Sequence, residues 1–192
     1  MQHRITLSPS SDIDKFVFRE LLDEALDSDT PKAVCAIEYP EAFFADWLAE
    51  GRERTAVNKR LGNGGSTPSA QRQFIRGSAL TADETGRAGE GPIELMLDGL
   101  AVKAVNQEGT EPDPDVALGG KRVDVKSVDW NRKNTFSVEC SAVKKYDSLI
   151  LVRTERPGLV QVWACRCNSA AWGDARKGTQ GRPDYYLIDC KH

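Results

Sequence analysis

Pro114-Asp115-Val116-Ala117-Leu118-Gly119-Gly120-Lys121-Arg122-Val123-Asp124-Val125-Lys126 is the stretch on which the fold turns. Two apolar runs flank a Gly-Gly pair, and glycine reaches the positive φ angles that a two-residue hairpin turn needs. A loop at 119 and 120 pairs residues whose numbers sum to 239, so Asp115 faces Asp124, Val116 faces Val123 and Asp113 faces Lys126. Side chains alternate across a strand. Val116, Leu118, Val123 and Val125 therefore share a core face, and Asp115, Asp124 and Lys126 share the other.

Two carboxylates directly opposite each other in a sheet have Cβ atoms ~5 Å apart, a destabilising placement unless something neutralises them. A hard divalent cation does so: Mg²⁺ takes carboxylate oxygens and keeps waters in its other positions. Lys126 on the same face is then placed to hold, or help deprotonate, a water aimed at phosphorus. The competing reading is a surface hairpin whose acids pair with Arg122 and Lys126. A second acid-x-lysine occurs at Asp189-Cys190-Lys191, preceded by Pro183-Asp184. An offset of five sends Asp184 and Asp189 to opposite faces of a strand, so these two cannot share a cation.

Outward from the hairpin, strand-like runs occupy 101–105, 115–118, 122–128, 148–153 and 159–166. Ser148-Leu149-Ile150-Leu151-Val152 is nearly continuously apolar, as a central strand covered on both faces would be. Helix signals cover about Gly89 to Asp98, ended by Gly99. Because proline is tolerated in the first helical turn, Pro92 places the start close to Gly89, with Glu90 near the positively polarised end and Glu94 one turn on. Further upstream, Ser11 caps a helix with an apolar stripe of Ile13, Val17, Leu21 and Leu22. A second helix opens at Pro40 and buries Phe43, Phe44, Trp47 and Leu48 before Gly51. Gly62-Asn63-Gly64-Gly65-Ser66-Thr67-Pro68-Ser69 reads as a flexible connection, dividing a helical N-terminal region, residues 1–70, from a main fold over 71–192. The class expected is α/β, with a central mixed β-sheet flanked by helices.

Mean hydropathy of -0.48 with 29% charged residues fits a soluble globular protein. No apolar run approaches the ~18 residues of a membrane span, and no export signal opens the chain, so a cytoplasmic location is expected. Five scattered cysteines (Cys35, Cys140, Cys165, Cys167, Cys190) suit reduced thiols better than a disulfide framework, and their spacing matches no zinc ribbon or finger. Charge is uneven. Residues 1–50 carry 4 basic and 11 acidic groups and residues 88–120 carry 1 and 7, whereas 51–87 and 121–145 each carry 7 basic and 3 acidic. An acidic segment between two basic ones suits carboxylates holding metal beside a phosphate-binding surface. The two histidines, His3 and His192, lie at the ends of the sequence, so no histidine nuclease or triad is expected.

Pro114-Asp115, eight further residues and then Asp124-Val125-Lys126 resemble the signature of the PD-(D/E)xK phosphodiesterases, which include restriction endonucleases, RecB-like nucleases and Holliday-junction resolvases. Gly86-Arg87-Ala88-Gly89-Glu90 with Leu95, Leu97 and Gly99 is similar to that family's first core helix. The resemblance covers roughly residues 86–165, and its short motif has little specificity alone. It implies a restriction-endonuclease-like core and Mg²⁺, with Mn²⁺ as a substitute, held by Asp115, Asp124, the Val125 carbonyl and Glu90, with Glu94 as second choice. It also implies DNA as substrate, hydrolysed by a water that Lys126 positions, and a possible homodimer. Trp130, Arg132 and Lys133 in the loop after the lysine strand, with Lys144 and Arg87, are candidate nucleic-acid contacts, as are Arg72, Arg76 and Lys145. Two alternatives remain: a nucleic-acid-binding or assembly module that no longer cuts, and a RecB-like exonuclease with an iron–sulfur cluster, whose cysteine spacing this chain does not match.

Overall fold

The structure, a computed structural model, describes residues 5–60, 80–98, 116–178 and 183–190. It is an α/β fold: β1 (Thr6–Leu7), α1 (Asp12–Leu26), β2 (Lys32–Glu38), α2 (Glu41–Arg60), α3 (Ala82–Met96), β3 (Val116–Leu118), β4 (Lys121–Val128), β5 (Thr135–Glu139), α4 (Ala142–Lys145), β6 (Ser148–Arg156), β7 (Leu159–Arg166) and β8 (Tyr185–Asp189). Six strands form one sheet in the order β1-β2-β7-β6-β4-β3, and β5 pairs with β8 in a second. The six-stranded sheet is mixed, because β4 and β6 run parallel while β6 and β7 are antiparallel.

The hairpin forms as its glycines require. Gly119 and Gly120 have φ of +54° and +81°, and Val116, Ala117 and Leu118 pair with Val123, Arg122 and Lys121, the 239 register. Asp115 and the run 101–105 lie outside the described residues. β6 is the covered central strand its composition requires: Ile150 and Val152 enter one hydrophobic cluster with α1, α2 and α3, and Leu149 and Leu151 enter the other with β5 and β8.

The N-terminal region is not wholly helical. α1 starts at its Ser11 cap, which accepts from the Asp14 N–H, and it buries Phe18, Leu22, Ala25 and Leu26. Ile13, expected on the apolar stripe, is 75% exposed. Between α1 and α2, the run Lys32–Glu38 becomes β2, buries Val34, Cys35, Ala36 and Ile37, and pairs with β7. Strands from both sides of residue 70 are thus hydrogen-bonded into one sheet.

Two helix ends differ from the sequence reading, both for packing reasons. α2 runs through Gly51, where a Cβ would stand 2.7 Å from the Glu84 Cα; the glycine marks the crossing with α3, not a stop. α3 begins seven residues before Gly89, at a capping box in which Thr81 Oγ1 accepts from the Glu84 N–H and Glu84 reaches back to the Thr81 N–H. Pro92 therefore sits well inside the helix, and Glu90 is in its middle rather than at its polarised end. Close packing offsets the lost hydrogen bond. A Cβ on Gly89 would lie 1.9 Å from Ser127 Oγ on β4, and one on Gly91 would lie 2.1 Å from the Trp47 ring on α2. Among the described residues no helix is long and apolar enough to cross a membrane.

Candidate functional site

β4 carries its residues in unbroken register with β6, so alternation fixes which way each side chain points. Val123 and Val125 join the cluster under α3, and Ser127, on their face, meets Gly89. Asp124 and Lys126 project to the opposite face, in the rows of Leu149 and Leu151. That face is also covered, and Asp124 is consequently buried, its side chain only 4% exposed.

Asp124 Oδ2 lies 2.6 Å from Lys126 Nζ, a contact with the distance of an ion pair but not the angles of a hydrogen bond. Among the described residues this oxygen has no hydrogen-bond partner. A carboxylate removed from water is costly unless charge and hydrogen bonds both compensate it, and at Oδ2 only charge does. Arg122, the other cation expected to satisfy the hairpin acids, turns to Asp147: its backbone N–H donates to Oδ2 at 2.7 Å and its Nε at 3.4 Å. Those donors hold the Asp147 carboxyl below the usual carboxylate range, the backbone N–H contributing most.

Cys167, at the end of β7, belongs to the same neighbourhood. Burial pushes its thiol up to about 12, the carboxylates of Asp124 and Asp147 add to the effect, and Lys126 opposes it. Nothing in the chain announces that Cys167, 43 positions from Asp124, joins its neighbourhood across three strands. None of the five cysteines forms a disulfide.

Glu90 and Glu94 sit in a different environment, on α3 over the other face of β4. Glu90 accepts from Arg54 at 3.3 and 3.1 Å and from Arg87 Nη1 at 3.1 Å. Glu94 accepts from Arg87 at 2.7 and 3.2 Å, and Glu50 of α2 accepts from the same guanidinium at 2.8 and 2.6 Å. Arg87, expected at a phosphate, is buried, with its donors directed to three carboxylates. Burial alone would lower its pKa, but Glu94, Glu50 and Glu90 together raise it, so the cation is locked in its charged form. The described geometry does not bring Glu90 to the face of Asp124.

Trp130 is half-buried and packs against Phe44 with ring centroids 6.1 Å apart, so much of its ring serves the core. Arg153 ties down the loop it occupies by donating to the carbonyls of Trp130 and Arg132 at 3.3 and 3.0 Å. Asn131 and Lys133 are exposed there, and Arg132 is half-exposed. Lys144 and Lys145 are exposed on α4. Asp184 and Asp189 are separate, as their offset demands: Asp184 accepts from Lys177 and Asp189 from Thr135. Asp115, Arg72, Arg76 and both histidines lie outside the described residues. Among the described residues no three His, Cys, Asp or Glu side chains are grouped to hold a metal ion. No family model, curated protein or solved structure matches this chain.

Proposed function

We propose that the chain is a metal-dependent phosphodiesterase that cuts DNA at Asp124 and Lys126, on a restriction-endonuclease-like core. One observation carries this reading: a buried carboxylate oxygen with a lysine ammonium 2.6 Å away and no hydrogen-bond partner among the described residues. A structural carboxylate would be expected to collect donors, as Glu90 and Glu94 do. An acceptor-only oxygen left without them, beside a cation, suits a hard divalent ion, and Mg²⁺ or Mn²⁺ is the fit by donor chemistry. Asp124, with the Val125 carbonyl and Asp115, would hold it. Such an ion, when bound, makes water a nucleophile at neutral pH and offsets charge on the phosphate oxygens.

The chain's own residues do the rest. The mid-strand position of Asp124 fixes its carboxylate on a rigid element, as a site needing sub-ångström placement requires. Lys126, with its side chain 34% exposed, has its base packed and its ammonium able to reach water. There it orients the attacking oxygen and stabilises negative charge on the phosphoryl group. DNA is preferred as substrate because the resembling families act on it. Glu90 is left out of the metal set, since its oxygens already accept from two guanidinium groups on the other side of β4.

A second reading, a binding module without cleavage, is favoured by the near-complete burial of Asp124 and by the absence of a three-ligand group among the described residues. Cleavage of linear, circular, single-stranded and branched DNA with Mg²⁺, measured for the wild type and Asp124→Ala, separates the two. Metal-dependent cutting that the substitution abolishes supports the phosphodiesterase; binding without cutting supports the module; equal cutting by both proteins removes Asp124 from the chemistry.

A further inference from the structure

At the end of the sheet where β4 and β6 begin and β7 finishes lies an open cleft of about 360 Å³. Four cations line it, Lys121, Arg122, Lys144 and Arg166, with two carboxylates, Asp27 and Asp147. Its net positive charge stands out in a chain whose formal net charge is -3. The cations come from three separate elements, β4, α4 and β7, so the cleft is a product of the fold and not of one basic run.

Its position is set by the strand register. Asp124, Leu149 and Cys165 form one row across β4, β6 and β7. Arg122 and Cys167 stand two residues away on the same face, one pleat repeat or about 7 Å from that row. That step is comparable with the distance between neighbouring phosphates along an extended nucleic-acid strand. Three of the four cations have acidic neighbours: Lys121 with Asp27 at 2.8 Å, Arg122 with Asp147 at 3.4 Å, and Arg166 with Asp27 and Asp29 at 3.6 and 3.7 Å. Apart from the partly buried Lys121, these side chains are about half exposed, and solvent-exposed ion pairs are weak enough to be exchanged for a phosphate. Lys144 is exposed and has no ion pair among the described residues.

We propose that this cleft binds the backbone phosphate adjacent to the one cut at Asp124, with Lys144 and Arg122 as its principal contacts. The proposal rests on the phosphodiesterase reading, whose substrate it places. A nucleic-acid strand entering here is positioned by charge, since phosphate contacts fix register and orientation without reading base identity.

The test is fluorescence anisotropy of a labelled duplex oligonucleotide in EDTA, where nothing is cut, over a range of salt. Wild type and a Lys144→Ala, Arg122→Ala double variant are compared after melting curves establish that both are folded. Losing the one phosphate contact removes about 0.9 from the slope of log affinity against log salt, with affinity several-fold weaker near 0.1 M salt. An unchanged slope and affinity, or no binding by the wild type, overturns the cleft. The two proposals fail separately. Weakened binding by the variant with no Mg²⁺-dependent cutting by the wild type leaves the cleft standing and removes the nuclease. Cutting by the wild type with binding and cutting unchanged in the variant does the reverse.

Discussion

The α2–α3 interface and strand β4 both bury carboxylates, yet they treat them in opposite ways. At the interface, Arg87 is shared by Glu50, Glu90 and Glu94, Arg54 also holds Glu90, and Arg52 pairs separately with Glu84. On β4, Asp124 has one lysine and an oxygen without a hydrogen bond. Satisfied buried charge locks two helices together, whereas unsatisfied buried charge is a cost that a fold retains for some other return. That difference is why the proposed function is built on β4 even though α3 holds more carboxylates.

The largest effect expected is at the hub of the network. Arg87→Met removes the cation that Glu50 and Glu94 share and leaves Glu90 with Arg54 alone, and should cost about 3 kcal/mol of stability, read by urea denaturation. Whatever activity the folded fraction has should persist, and an inactive but stable variant would reverse the roles given to the two regions. Next, Asp124→Asn should lower the cleavage rate by about 10²–10³-fold while leaving the melting temperature unchanged or raised, because it removes a buried charge one of whose oxygens lacks a hydrogen bond. A large loss of stability there would mean that the Asp124–Lys126 pair is structural after all.

A third substitution examines whether α3 is held as tightly as its glycines imply. Gly91→Ala forces a Cβ to within 2.1 Å of the Trp47 ring, and the resulting shift should cost about 1–3 kcal/mol in the same denaturation assay. A neutral effect would show that α2 and α3 are loosely packed, and that the arginine network alone joins them.

The smallest effect concerns Glu84. Burial pushes its carboxyl up, but the Thr81 N–H, the Arg52 guanidinium and the Thr81 hydroxyl together hold it below its ordinary value of 4.5. A group whose folded value is depressed adds stability that is fully present above the ordinary value and is lost as pH falls through the folded one. Melting temperature should therefore drop more steeply below about pH 4.5 in the wild type than in Glu84→Gln, with a difference of about 1 kcal/mol near neutrality. Parallel curves would remove Glu84 from the acid response.

Much of the scaffold was legible because local rules governed it. Gly119-Gly120 sets the hairpin and its register, the apolar run at 148–152 sets the central strand, and Ser11 sets the start of α1. What escaped depended on contacts distant in sequence. Lys32–Glu38 is a short run between two prolines without clean alternation, and only pairing with β7 makes it a strand. Pro92 suggested a helix start because propensity disfavours proline within a helix, but the close approach of Gly89 and Gly91 to β4 and α2 overrides propensity there. At the site, alternation put Asp124 and Lys126 together. It could not show that β5, β8 and α4 cover their face, nor that Arg54 and Glu50, from α2, would claim Glu90 and Arg87.

Calorimetric titration of Mn²⁺ into the wild type, Asp124→Asn and Glu90→Gln bears most directly on whether the unsatisfied carboxylate is the functional one. The account expects saturable binding by the wild type, its loss in Asp124→Asn and its retention in Glu90→Gln, which should instead melt at a lower temperature. Binding that survives in Asp124→Asn, or that disappears with Glu90 alone, would contradict it.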